Sequence, residues 1–225
     1  MSTGTKTANG NDSQMIKRCM MLLVGIFFMA TGIAMIIKSG TGTSPMSSLT
    51  NVMTVVFPAL TLGTYTFLLN VLFFIGEFVV DIKSFSASKF LQLIPTFFLS
   101  VAVDLNMFLV SNLDPQGYVM KLAVLIIGCM FFGLSISFMV SADVILMPGE
   151  AFIKIISVKY HKEYGNIKTA VDVSLVILAV IVSLIFLGRI HGVREGTLIA
   201  AFTIGNFSRF FRTYTNKLIK GGCAA

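Results

Sequence analysis

Apolar residues of the chain fall into long runs that are separated by short polar stretches. An α-helix needs about 20 consecutive apolar residues to cross about 30 Å of hydrocarbon. The pattern therefore predicts an all-α polytopic membrane protein with six transmembrane helices. The six runs are Cys19–Ile37, Gly63–Ile82, Phe90–Val110, Val119–Val140, Thr169–Leu187 and Gly196–Phe211.

Two shorter segments, Ser44–Phe57 and Pro148–Tyr160, lie between the runs. At 1.5 Å per residue each would form about 20 Å of helix, which is too short for a standard span. Each has a proline at or near its start, and proline suits the first turn of a helix because the missing N–H would have no partner there. We predict that both segments are half-length, re-entrant helices. The alternative is that both cross the membrane, which would give eight spans.

The composition agrees with a membrane protein. Of the 225 residues, 56% are hydrophobic and 12% are charged, and the mean hydropathy is +0.89. Soluble domains carry about 25% charged residues, so a water-soluble globular protein is excluded. The net charge of +7 fits basic residues in cytoplasmic loops better than nucleic-acid binding, because no compact basic region is present. The lipid bilayer is therefore an expected partner, and nucleic acid is not.

The lysines and arginines indicate the orientation in the membrane. With six spans and the N-terminus inside the cell, 13 of them lie inside and 4 outside, which is the bias expected for cytoplasmic loops. The four outside are Lys38, Lys121, Arg189 and Arg194. Eight spans would weaken the bias. We therefore expect both termini in the cytoplasm, with residues 1–16 as a disordered leader and residues 214–225 as a tail.

The chain contains a weak internal repeat, with residues 17–113 as the first copy and residues 114–213 as the second. The matched pairs lie 102 or 103 residues apart and are Gly25 with Gly128, Pro45 with Pro148, Gly63 with Gly165 and Asn70 with Asp172. Each copy would hold three spans, an odd number, so the second copy would be inverted relative to the first. Inverted repeats are typical of secondary transporters, whose substrates bind between the copies near the midplane.

The starts of two re-entrant helices would meet inside the membrane. Helix N-termini present free N–H groups and a positive dipole end, which suit an anion or a carboxylate. We therefore predict a solute site at these two starts, together with the nearest polar residues of the following spans. The predicted binding residues are Gly40, Thr41, Gly42, Thr43, Ser44, Pro45, Asn70, Pro148, Gly149, Glu150 and Asp172.

Each of these residues also has a purely structural explanation. The Gly40–Pro45 segment could serve only in packing, and Glu150 could cap its own helix. Asp172 could form an i,i+4 pair with Lys168. Glu77, near the end of its run, is expected at the inner membrane interface.

No catalytic or nucleotide-binding motif occurs in the sequence, and the two histidines, His161 and His191, are far apart. We therefore expect no enzymatic activity, no cofactor and no metal. The function predicted is a secondary transporter or permease for a small anionic or zwitterionic solute. The alternative is a non-transporting membrane scaffold or accessory protein that binds a partner protein. The sequence leaves the oligomeric state open.

Three stretches of the chain resemble a known family. They are "GTGTSPMSSL", "ADVILMPGEAF" and "VREGTLIAAFTIGNFSRFF", and they resemble the YczE/YyaS/YitT group of bacterial integral membrane proteins over about Met15 to Thr213. The resemblance implies a protein of about six spans in the bacterial inner membrane. Some members of the group carry a further C-terminal soluble domain. The resemblance implies no substrate.

Overall fold

The computed structural model describes the backbone of residues 6–82, 87–142 and 144–221, and the side chains of residues 15–82, 88–142 and 144–215. Lys83, Asp143 and parts of the predicted leader (1–5) and tail (222–225) lie outside these ranges. Within them there are eight α-helices, one short 3₁₀ helix and no β-strand, which confirms the all-α fold class. The α-helices are α1 (Lys6–Lys38), α2 (Pro45–Val56), α3 (Leu62–Val80), α4 (Leu93–Leu109), α5 (Tyr118–Ala142), α6 (Pro148–Lys159), α7 (Tyr164–Leu187) and α8 (Glu195–Gly221). The 3₁₀ helix, Ala87–Gln92, leads directly into α4.

Five helical segments among the described residues are long and apolar enough to cross a membrane. They are Met15–Lys38, Leu62–Val80, Ser88–Leu109, Tyr118–Ala142 and Tyr164–Leu187, and they correspond to the first five predicted spans. Helix α8 is long enough, but Asn206, Arg209 and Arg212 in its middle make it too polar for this group. The sixth span therefore stays a prediction.

Helix α1 begins well before its apolar segment. Its first residue is Lys6, so most of the stretch 1–16 that the sequence predicted to be disordered is helical. The physical reason is that nucleation is the costly step of helix formation, whereas extension of an existing helix adds one hydrogen bond per residue.

One end of the helix bundle is marked by the end of α1, and we call it the Lys38 end. The Lys38 Nζ donates to the Ser111 carbonyl, 3.0 Å away, so α1 and α4 finish side by side. Helix α3 starts at the same end, because the Gly63 N–H donates to the Asp104 Oδ1 near the end of α4, at 2.7 Å. Helices α3 and α4 are therefore antiparallel neighbours.

The opposite end is marked by the end of α3, and we call it the Val80 end. The Lys159 Nζ donates to the Val80 carbonyl at 2.6 Å, so α6 finishes there. The ends of α5 and α8 meet at the same level, because the hydroxyl groups of Ser137 and Thr215 lie 2.6 Å apart. Helix α8 therefore runs the length of α5.

The most extensive packing is between α1 and α5, followed by α5 with α8. Helices α1 with α4, α2 with α7, α3 with α4, and α3 with α6 form the next largest interfaces, and α2 with α3 and α6 with α7 form smaller ones. Glycine permits the central crossing, because a Cβ on Gly32 would lie 2.9 Å from the Gly128 carbonyl oxygen. Gly32 therefore lets α1 and α5 approach closely within the chain, as small residues do at the crossings of membrane helices.

The two half-length helices begin next to each other and end at opposite ends of the bundle. A Cβ on Gly149, at the start of α6, would lie 2.8 Å from the Cε of Met46 at the start of α2. Helix α2 finishes at the Lys38 end, where the ring of Phe57 contacts that of Phe186, whereas α6 finishes at the Val80 end. Each has 12 residues, or about 18 Å of helix.

Candidate functional site

The start of α2 has the capping that its sequence predicts. The Ser47 N–H donates to the Ser44 Oγ at 3.3 Å, and Pro45 occupies the first turn. Since Ser44 precedes the helix and proline needs no partner for an N–H, both local signals agree. The predicted helix start is confirmed.

The segment leading into α2 is buried and its polar groups have partners in the protein. The Thr43 side chain is 1% exposed, and its hydroxyl donates to the Gly192 carbonyl at 2.9 Å. The Thr43 N–H donates to the Thr197 Oγ1 at 3.2 Å. In this conformation these groups hold the segment before α2 against the start of α8.

Backbone also approaches backbone closely in this segment. The Gly196 N–H donates to the Thr41 carbonyl at 3.0 Å. A Cβ on Gly42 would lie 2.7 Å from both the backbone nitrogen and the Oγ1 of Thr197, and the φ of Gly42 is +148°, so a side chain would be strained there. The contacts of 41–43 with 192–197 close the Lys38 end, and we call them the Lys38-end seal.

The start of α6 carries a carboxylate that contacts the next helix. Pro148 is in the first turn, and Glu150 accepts hydrogen bonds from the Tyr164 hydroxyl and from the Lys168 Nζ, the latter at 3.2 Å. The described partners of Glu150 therefore lie on α7, and not within its own helix, where one of the sequence-based explanations put them.

Lys168 joins two carboxylates. Its Nζ is 3.2 Å from Glu150 and 3.9 Å from Asp172, which confirms the predicted i,i+4 pair. The three side chains are partly exposed, so each ion pair contributes on the order of 1 kcal/mol or less. The Asp172 Oδ1 is buried, with no hydrogen-bond partner among the described residues. We call these residues and Tyr164 the α6–α7 charge cluster.

The predicted site residues do not form one cluster. The Gly40–Pro45 segment packs on the start of α8, and Glu150 and Asp172 lie together between α6 and α7. The Asn70 Nδ2 donates to the Thr66 carbonyl one turn earlier in its own helix, at 2.9 Å. The starts of the two half-length helices meet through Met46 and Gly149.

A buried ion pair lies at the Val80 end, outside the predicted site. Glu77 is 1% exposed, and its Oε1 is 2.8 Å from the Lys89 Nζ. Its Oε2 has no hydrogen-bond partner in the part of the chain that the structure describes. An unsatisfied buried polar atom costs about 1–3 kcal/mol. Glu77 is therefore enclosed by protein one turn before the end of α3, and its place at the inner membrane interface stays a prediction.

This carboxylate lines a cavity of about 570 Å³ between α3, α5, α6 and the start of α4. Polar residues of the wall are Glu77, Ser88, Lys89, Gln92 and Lys154, and apolar ones are Leu91, Met139, Val140, Val144, Ile145, Leu146, Ala151 and Ile155. A carboxylate inside the run Gly63–Ile82 was the available signal, since charged residues within spans are costly and are commonly functional. Its partner could not be found from sequence, because Lys89 lies outside that run, just before the run Phe90–Val110.

Together the fold and the cavity define a helical protein whose long apolar helices are of the kind that cross membranes, with two half-length helices inside the bundle. The chain belongs to a family of unknown function, DUF6198, whose sequence profile matches residues 16–213. Neither a curated protein nor a solved structure matches the chain. The resemblance to the YczE/YyaS/YitT group stays a prediction.

Proposed function

We propose that the chain is a secondary transporter or permease for a small anionic or zwitterionic solute in a bacterial cell membrane. Its two halves would be inverted repeats of three spans and one re-entrant helix, with the Val80 end in the cytoplasm. The observation that carries the proposal is that contacts between the two halves occur in corresponding pairs. When each residue is replaced by the corresponding residue of the other half, one contact of a pair becomes the other.

The first such pair is at the crossing of α1 and α5. With the 103-residue spacing, Gly25 corresponds to Gly128, and Gly32 corresponds to Ser135. A Cβ on Gly25 would lie 3.3 Å from the Ser135 carbonyl oxygen, and one on Gly32 would lie 2.9 Å from that of Gly128. Each contact becomes the other when the halves are exchanged, which is the behaviour of a two-fold repeat.

Neighbouring contacts follow the same rule. A Cβ on Gly25 would lie 2.9 Å from the Met139 Cγ, and one on Gly128 would lie 2.9 Å from the Ile36 Cγ1. Met139 and Ile36 are again 103 residues apart. The spacing found in the sequence therefore also describes contacts in space.

The helix pairs support the same relation. If α1–α4 are exchanged with α5–α8, the α1–α4 interface corresponds to α5–α8, the α2–α7 interface to α3–α6, and the α2–α3 interface to α6–α7. The α3–α4 interface is the exception, because α7 and α8 form no comparable interface among the described residues. The contact of Met46 with Gly149 converts into itself. Because α1 and α5 are antiparallel, the proposed relation would be an inversion, as in many secondary transporters.

The two ends differ in a way that suits alternating access. At the Lys38 end, the segments before α2 and before α8 touch in the Lys38-end seal. At the Val80 end, the corresponding segments before α6 and before α4 both line the cavity. A transporter with equivalent halves is expected to be open on one side and closed on the other.

Cysteine accessibility tests the proposal. Native cysteines are replaced, Ala151→Cys places a thiol in the cavity, and Thr43→Cys places one in the seal. We expect a membrane-impermeant thiol reagent to label the first from the Val80 side and the second, more slowly, from the Lys38 side. Lack of labelling at Thr43→Cys from either side, with no flux of anionic or zwitterionic solutes into proteoliposomes, would contradict transport.

One observation favours the non-transporting alternative. The polar groups around Thr43 have partners in the protein, as a scaffold requires. In a scaffold the seal would be permanent, so the same labelling experiment separates the two functions.

A further inference from the structure

Two hydrogen-bond acceptors in the wall of the Val80-end cavity lack donors. They are the Oε2 of Glu77 and the Oε1 of Gln92, and neither has a partner among the residues that the structure describes. Both side chains are more than nine-tenths buried, at 1% and 8% exposure. Buried acceptors in proteins nearly always have a donor. A donor from outside the described residues is therefore needed, and water or a bound molecule can supply it.

The acceptors select the chemistry of such a molecule. A carboxylate oxygen and an amide oxygen both need N–H or O–H groups, and a carboxylate binds a cationic donor most strongly. Lys89 pairs with the other oxygen of Glu77, so the charges of these two side chains balance before any ligand binds. An ammonium group has three N–H donors and carries a positive charge, so it is the kind of group that these acceptors need.

A third charged residue in the wall limits the ligand further. Lys154, on α6, also lines the cavity and is exposed. A solute that is only cationic would meet the positive charges of Lys89 and Lys154, whereas a solute that is only anionic would leave both acceptors without donors. A zwitterion satisfies both conditions.

The remaining wall is mostly apolar and includes Met139, Ile145 and Ile155. The volume of about 570 Å³ falls within the range of about 300–1,000 Å³ for small-molecule sites. The cavity therefore has room for a short apolar group between its charged residues.

We propose that this cavity binds a small zwitterion of the amino-acid type with an apolar side chain. Its ammonium group donates to the Glu77 Oε2 and the Gln92 Oε1, and its carboxylate faces Lys154. The inference builds on the proposed function, because it names the solute class of the same protein, but binding is measured without transport.

The test is binding to the purified full-length protein in detergent or nanodiscs. Leucine, methionine and phenylalanine are compared with two single-charge analogues of leucine, isocaproate, which lacks the ammonium group, and isoamylamine, which lacks the carboxylate. We expect at least one of the three zwitterions to bind, with leucine tighter than either analogue. Absence of binding by all three, or equal binding of leucine and isocaproate, would overturn the inference and leave water as the donor.

Variants locate the binding site. Glu77→Gln is expected to weaken zwitterion binding by about 10- to 100-fold, as for loss of a charged hydrogen bond. Gln92→Leu, which removes no charge and guards against misfolding of the first variant, should weaken binding by about 2- to 10-fold. Glu163→Gln makes the matched substitution at an exposed glutamate outside both the cavity and the seal, and should change nothing. Unchanged affinity in both cavity variants would overturn the inference.

The outcomes separate the inference from the proposed function. Zwitterion binding that depends on Glu77, together with no flux in proteoliposomes, would support the cavity site and contradict transport. Flux of anions that is insensitive to Glu77→Gln would support transport and contradict the cavity site.

Discussion

Single glycines have very different roles in this fold, even where the sequence aligns them. Gly63, at the start of α3, packs directly against α4: a Cβ there would lie 2.6 Å from the Asp104 Oδ2 and would also overlap the Ser100 carbonyl. Gly165, which corresponds to it at the start of α7, has no atom within 4 Å of such a Cβ. The difference follows from packing, because α3 contacts α4 extensively, whereas α7 has no such interface with α8.

This difference gives a matched pair of substitutions. Gly63→Ala should destabilise the protein by about 1–3 kcal/mol, the usual cost of overpacking. Gly165→Ala should be neutral or slightly stabilising, because alanine favours helix by about 1 kcal/mol over glycine. Thermal unfolding of both variants in the same detergent measures the effect. Equal melting temperatures would show that the α3–α4 contact is looser than the structure has it.

At the scale of helices, a side chain of one helix completes the start of another. The Asp104 carboxylate, on α4, accepts from the Gly63 N–H at 2.7 Å and from the Thr61 hydroxyl at 2.6 Å. A negative charge at a helix N-terminus is also favoured by the helix dipole. Asp104 therefore fixes the start of α3 against the end of α4.

Replacement of this carboxylate tests the arrangement. Asp104→Asn puts an amide NH₂ where one of the two donors needs an acceptor, so we expect a loss of about 1–2 kcal/mol of stability, as for removal of a helix cap. Asp114→Asn, in the exposed loop after α4, is the control and should have little effect. Guanidinium or thermal unfolding compares the two. A similar stability for both variants would mean that Thr61 alone is a sufficient cap.

Proline and capping residues in the sequence predicted the two half-length helices well, but they carry no information on contacts between helices. Ser44–Phe57 and Pro148–Tyr160 were predicted as half-length helices and are observed as Pro45–Val56 and Pro148–Lys159, because proline and capping residues act within a few positions. The Lys168–Asp172 pair was equally local. The pairing of Glu77 with Lys89 depends on how α3 meets α4, which neither residue encodes alone.

The same limit explains the candidate site. Hydroxyl-rich residues before α2 indicated a solute site, but whether a hydroxyl faces a solute or another helix depends on a segment about 150 residues away: Thr43 contacts Gly192 and Thr197. The predicted repeat rests on pairs at a fixed spacing. The Lys38-end seal and the cavity at the Val80 end, which would correspond in such a repeat, differ in packing, and sequence spacing carries no information on that difference.

At the scale of the whole molecule, the proposed inverted repeat means that each end of the bundle could adopt the conformation that the other end has now. If the halves exchange conformations, opening of the Lys38 end requires separation of 41–43 from 192–197, and closure of the Val80 end brings 144–146 against the start of α4. The charged groups of the cavity would then be enclosed together with any bound solute. The Lys38-end seal is thus the element whose movement transport needs.

Locking the seal separates binding from transport. In a chain without native cysteines, Thr43→Cys and Thr197→Cys are joined by a bifunctional methanethiosulfonate crosslinker, whose disulfides a reducing agent cleaves. Because the cavity opens at the other end, we expect crosslinking to abolish flux in proteoliposomes while solute binding to the cavity persists, and reduction to restore flux. Either single-cysteine variant, treated identically, should keep its flux. Full flux through the crosslinked protein would mean that the path does not pass between these segments, since a covalently closed seal cannot open for each transport cycle.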